Sequence, residues 1–63
     1  GGVIKKTLDE LPERTREIYH LNRTEGLKYA EIAEMLSISV KTVEANMSKA
    51  LKALRLSLRE YSS

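Results

Sequence analysis

The sequence predicts an all-α domain of four helices, and three observations carry that prediction. Apolar residues recur at i, i+3, i+4 and i+7 in separate runs, the period of a helix buried on one face. Turn-forming residues (Pro12, Gly26 and the Ser37-Ile38-Ser39 triplet) fall between those runs. β-branched residues never alternate with polar ones as a half-buried strand requires. With 63 residues, 41% of them apolar and 32% charged, the chain has material for one small globular domain and too much apolar content for a disordered tail.

The first helix is predicted from about Val3 to Glu10, with Ile4, Leu8 and Leu11 on one face. Gly1-Gly2 before it reads as a cloning remnant, leaving 3–63 as the domain. Leu11-Pro12 ends the helix, because a residue before proline is pushed out of the α region. The second is predicted to begin at Pro12, whose missing N–H would be unpaired at a first helical position anyway. Glu13 there suits the helix dipole. Leu11, Ile18 and Leu21 share one side, with Tyr19 beside them, and Gly26 supplies a left-handed stop. The third spans about Tyr29 to Leu36, with Tyr29, Ile32, Ala33 and Leu36 in register. Ser39 is a good N-cap for the fourth, about Val40 to Tyr61. Its apolar stripe is Val40, Val43, Met47, Ala50, Leu51, Leu54, Leu58 and Tyr61. A helix of about 20 residues spans about 30 Å, so its C-terminal part is expected to project or to pack on a partner.

The predicted core is Ile4, Leu8, Leu11, Ile18, Leu21, Ile32, Ala33, Leu36, Ile38, Val43, Met47, Leu51 and Leu54. Without Phe or Trp to fill it, stability at or below about 5 kcal/mol is expected.

Composition excludes several classes of function. The chain has no cysteine, hence no disulfide framework and no thiolate metal site, and its single histidine cannot form a His-rich site. No apolar run approaches the roughly 18–20 residues of a membrane span, and no signal peptide is visible. No compact catalytic constellation is present either. The expectation is a cytoplasmic, non-enzymatic domain with no cofactor, no metal and no membrane insertion. Charge is uneven: residues 1–39 carry six basic and seven acidic side chains, whereas residues 40–63 carry five basic and two acidic. Positive charge concentrated in the last third suggests a polyanionic partner there.

The informative stretch runs from Tyr29 to Val43: a short helix, a three-residue turn, and a longer helix with a serine cap. Two helices crossing through so short a turn must approach closely. Ala33 is the small residue at the crossing, Ile38 plugs the turn into the core, and Val43 and Met47 seat the second helix. This is the pattern of a helix-turn-helix, whose second helix enters the DNA major groove. At about 100° per residue, the direction opposite the stripe falls on Lys41, Ala45, Ser48, Lys49 and Lys52, with Thr42, Glu44 and Arg55 on the flanks.

The candidate base-reading residues are therefore Lys41, Glu44, Ala45, Ser48 and Lys49. Lysine donates to guanine, glutamate accepts from cytosine N4, and alanine permits close approach or touches a thymine methyl. Asn46 would bond adenine if it rotated outward. Lys28, Thr42 and Lys52 are candidates for phosphate, which Lys41 also reaches. The bland alternative is a solvated helix face on a protein-interaction module that never touches DNA. Elsewhere, His20 reads as a surface or half-buried histidine, Tyr19 and Tyr29 as core-edge residues, and Glu31 and Glu34 as solvated acids. Leu56 falls on the outward face of the last helix, as an isolated leucine or a partner contact.

Four segments together, Leu11-Pro-Glu-Arg-Thr-Arg-Glu-Ile-Tyr-His-Leu21, Glu25-Gly-Leu-Lys-Tyr-Ala-Glu-Ile-Ala33, Ile38-Ser-Val-Lys-Thr-Val43 and Ala50-Leu-Lys-Ala-Leu-Arg55, resemble region 4 of bacterial RNA polymerase sigma factors of the extracytoplasmic-function type. The resemblance spans about residues 3–61. It implies recognition of the promoter -35 element by the fourth helix, docking on the β flap of RNA polymerase core, and often sequestration by an anti-sigma factor. The DNA-facing positions it implies are Lys41, Thr42, Glu44, Ala45, Ser48 and Lys49. A LuxR-class regulator output domain shares a Glu-Ile-Ala and a Ser-x-x-Thr-Val at similar spacing, but its last helix is usually short.

The chain departs from the sigma pattern in places. The family usually has Ser or Thr where Lys28 stands, capping the third helix together with the residue at Glu31; losing that cap costs about 1 kcal/mol. Ser37 holds a turn position that is commonly Gly, and is strained if φ there is positive. Many relatives carry Arg at the positions of Glu44, Asn46 and Lys49. The family's region 2 lies outside this chain, which the resemblance therefore implies is a fragment of a longer protein.

Overall fold

The computed structural model describes the backbone of residues 2–62 and the side chains of residues 5–58. It contains α1 (Gly2–Glu10), α2 (Glu13–Arg23), α3 (Tyr29–Leu36) and α4 (Val40–Ser62), with no strand among the described residues. α4 packs against each of the other three helices, and α2 also packs against α3. Only α4 carries an apolar stripe long enough to serve three partners. At about 1.5 Å per residue it is roughly 34 Å long, most of the molecule's 39 Å extent. No helix among the described residues is long and apolar enough to cross a membrane.

The core lies where α2, α3 and α4 meet. Ile18, Ile32, Ala33, Val43 and Met47 are buried there, with Leu21, Leu36, Ile38 and Leu51 half-buried at its edge alongside Tyr19 and Tyr29. Leu8, Ala50 and Leu54 extend it toward α1. The predicted core thus agrees with the structure over the described residues except at Leu11, which is half-buried and lines the groove between α1 and α4; Ile4 lies outside the described side chains, as does Tyr61 of the stripe. The stripe itself is narrower at its ends than the periodicity predicts. Val40, the first residue of α4, and Leu58, the last of its described side chains, are 42% and 45% exposed. Leu56, 47% exposed, borders a shallow groove between α1 and α4 with Thr7, Leu11 and Ala53.

Two boundaries differ from expectation. Pro12 is the N-cap of α2 rather than its first helical residue, with φ -54° and ψ 146°. The pyrrolidine ring fixes φ alone, so ψ is left extended. The Pro12 carbonyl still accepts the first helical bond, from Arg16 N–H at 3.0 Å. At the other end α2 stops at Arg23, and the left-handed residue, Gly26 at φ 73°, comes in the loop beyond. The Asn22 side chain ties that loop down by donating to the Leu27 carbonyl at 2.9 Å.

The turn between α3 and α4 is a Schellman motif. Ile38 N–H donates to Ala33 C=O at 2.9 Å and Ser37 N–H to Glu34 C=O at 3.3 Å, the two bonds that satisfy the last carbonyls of a helix. Ser37 takes the left-handed conformation this motif needs, at φ 56° and ψ 43°. A residue with a Cβ costs about 1–2 kcal/mol there. Glycine relieves the strain but adds unfolded-chain entropy worth roughly 0.5–1 kcal/mol. Ser37→Gly should therefore stabilise the domain, and a gain near 1 kcal/mol would raise Tm by about 4–8 °C. A thermal melt in which the variant unfolds below the parent would mean that the Ser37 side chain does more than endure its backbone.

Candidate nucleic-acid interface

The first turn of α4 is fixed by its own cap. Ser39 Oγ accepts the Thr42 N–H at 3.0 Å and lies 2.9 Å from Thr42 Oγ1, while the Ser39 carbonyl accepts the Val43 N–H at 3.1 Å. This is the bonding expected of a serine N-cap. Val43 and Met47, buried against the α2–α3 core, then set the rotation of the helix about its axis.

That rotation leaves one side of α4 in solvent. Lys41, Thr42, Glu44, Ala45, Ser48, Lys49 and Lys52 are all exposed, as is Arg55 on the flank. The ion pairs among the described residues, Arg14–Glu17 at 3.7 Å and Arg16–Asp9 at 4.0 Å, lie on α1 and α2. The lysines of α4 are thus not committed to internal carboxylates. The arrangement is a row of cations and small polar side chains on a helix held by its opposite face. Such a surface can lie against a polyanion and present donors to base edges.

Lys28, the N-cap residue of α3, is exposed, and its side chain makes no capping bond. Half of the reciprocal capping arrangement survives, since Lys28 N–H donates to Glu31 Oε1 at 2.8 Å. Glu31 is therefore a structural acid at the start of α3, not merely a solvated one, while the Lys28 side chain makes no ion pair among the described residues.

Asn46 differs from the others. Its Nδ2 donates to the Thr42 carbonyl at 2.8 Å and its Oδ1 accepts from Thr15 Oγ1 at 2.8 Å. Oδ1 is engaged inward by Thr15 and Nδ2 is tied to the backbone one turn back, so the outward rotation that adenine contact requires is not the resting arrangement. Thr15, 2% exposed, was not among the residues singled out from sequence. The signal was present: Leu11, Thr15 and Ile18 are spaced i, i+4, i+7, which puts a hydroxyl on the apolar face of α2. His20 is exposed, with Nδ1 3.4 Å from Thr24 Oγ1 and its ring edge-on to Tyr19.

Residues 2–54 match the family described as sigma-70, region 4. The chain is 36% identical over 59 residues to the ferric citrate uptake sigma factor FecI of Escherichia coli (strain K12), an alignment covering 94% of this chain and 34% of that protein. It is 40% identical over 55 residues to the RNA polymerase sigma factor SigV of Bacillus subtilis (strain 168), covering 87% and 33% respectively. The chain thus spans about a third of the length of each of these relatives.

Proposed function

Because the chain belongs to the sigma-70 region 4 family, we propose that it recognises the -35 element of a promoter during transcription initiation, as one domain of a longer sigma factor. In this reading α4 lies in the major groove. Lys41, Glu44, Ala45, Ser48 and Lys49 face base edges, and Lys28, Thr42 and Lys52 hold phosphates. The observation that carries it is the solvent-facing side of α4, aimed outward by the left-handed turn at Ser37 and pinned from behind by Val43 and Met47. The same membership supports docking on the β flap of RNA polymerase core in the cytoplasm, and capture by an anti-sigma factor.

Titration of promoter DNA at several salt concentrations tests the reading. Each lysine on a phosphate releases counterions, so log K falls with log salt at a slope of about -0.9 per contact. Lys52→Ala should weaken every DNA sequence alike and flatten that slope by about 1. Failure of the parent chain to bind any promoter DNA even at about 10 mM salt would count against DNA recognition and for a protein-interaction role.

A further inference from the structure

Given the reading of α4 as the DNA-binding helix, we infer that Thr15 is a specificity-determining positioning residue, which withholds the Asn46 carboxamide from the face of α4 that reads bases. Thr15 is the one buried polar residue among the described side chains. Its hydroxyl crosses from α2 to α4 to reach Asn46 Oδ1 at 2.8 Å, and Asn46 Nδ2 reaches the Thr42 carbonyl at 2.8 Å. A backbone carbonyl only accepts, so the amide nitrogen must face Thr42 and the amide oxygen must face Thr15. The Thr15 hydroxyl therefore donates. Every group in the chain has one role, and no buried side-chain polar atom among the described residues is left without a partner.

The position of Asn46 makes this restraint consequential. At about 100° per residue, Asn46 sits on the border between the core-facing Val43 and Ala50 and the exposed Thr42, Ala45 and Lys49. A change of side-chain rotamer is enough to carry its carboxamide beside Lys49. An asparagine amide, like that of glutamine, pairs with both adenine N6 and N7. Held by Thr15 it makes no such pair, and adenine gains no advantage at the base it would meet.

Thr15→Val keeps the shape and removes the hydroxyl. The Asn46 oxygen then faces an apolar wall and turns to water, which here means toward the reading face. Selection of binding sites from random DNA with the 63-residue chain and its variants tests this. The parent, Thr15→Ser, Asn46→Ala and the double variant Thr15→Val/Asn46→Ala should share one motif. Thr15→Val alone should gain a preference for adenine at one position, about tenfold for a single bidentate contact. A purely structural Thr15 would instead give the same outcome with or without Asn46. An unchanged Thr15→Val motif, or an altered one that persists in the double variant, overturns the inference. So does a motif altered by Asn46→Ala alone, an arm that leaves Thr15 untouched and stands even if Thr15→Val does not fold.

The NMR signals of the Asn46 side-chain amide read the restraint without DNA. Their chemical shifts should be displaced from free-amide values in the parent and in Thr15→Ser, and return to them in Thr15→Val. Free-amide shifts in the parent remove the restraint and the inference with it. A parent that selects no motif while those shifts are displaced overturns the DNA reading instead, and the specificity role falls with that reading.

Discussion

An Ile32→Ala variant should lose its cooperative thermal transition and most of its helical signal at physiological temperature. Ile32 is 0% exposed and stands in α3 against Ile18 of α2 and Val43 and Met47 of α4, so the lost atoms leave a void at the junction of three helices. Truncations of this kind cost about 2–5 kcal/mol, because the transfer free energy and the cavity add. A domain of this size with a single core has about 3–5 kcal/mol to lose. Leu56→Ala removes a comparable side chain from a position 47% exposed and should change stability by no more than about 0.5 kcal/mol. Circular dichroism of the pair decides the matter: equal melting of Ile32→Ala and Leu56→Ala would mean that the junction is not what holds the domain. Ile32 lies away from the exposed face of α4, yet its loss should abolish DNA binding. The same melt must therefore accompany every variant made at the interface.

The helices were legible in the sequence wherever one face had to be buried. The bounds of α3 follow directly from Tyr29, Ile32, Ala33 and Leu36, because an eight-residue helix with four apolar positions in register has one way to sit. Pro12 stands one residue outside α2 because proline dictates φ, whereas helix entry is decided by ψ. Val40 and Leu58 match the period but stand at the two ends of the described stripe, where burial falls off. The outward face of α4 follows from angle alone once Val43 and Met47 point inward, which is why the exposure of Lys41, Ala45, Ser48, Lys49 and Lys52 was readable. The state of Asn46 was not readable in the same way. The helical angle places it on a border, and the rotamer is chosen by a hydroxyl 31 residues away in the chain. Thr15 is illegible for the complementary reason, since a threonine on an apolar face has a meaning only when its partner is known.

Glu44→Ala and Lys49→Ala should each change which -35 sequences the domain prefers, with opposite effects on affinity. The two residues stand on either side of the exposed face, with Ala45 and Ser48 between them. Glutamate accepts from cytosine N4 and lysine donates to guanine, and a good base contact of this kind is worth about 1–3 kcal/mol of discrimination. In the proposed docking, Glu44 would also repel the phosphates that flank the groove. Removing it should raise affinity for non-cognate DNA while flattening preference at one base pair. Lys49 would attract those phosphates, so its removal should lower affinity and flatten preference at a different base pair. Neither side chain is buried or ion-paired among the described residues, so both variants should melt within about 0.5 kcal/mol of the parent, and any altered motif then reports on contact with DNA. Selection from random sequences should return motifs that differ from the parent's at distinct positions. One motif common to all three would mean that bases are read by some other part of the molecule, even if α4 still carries the charge that holds the duplex.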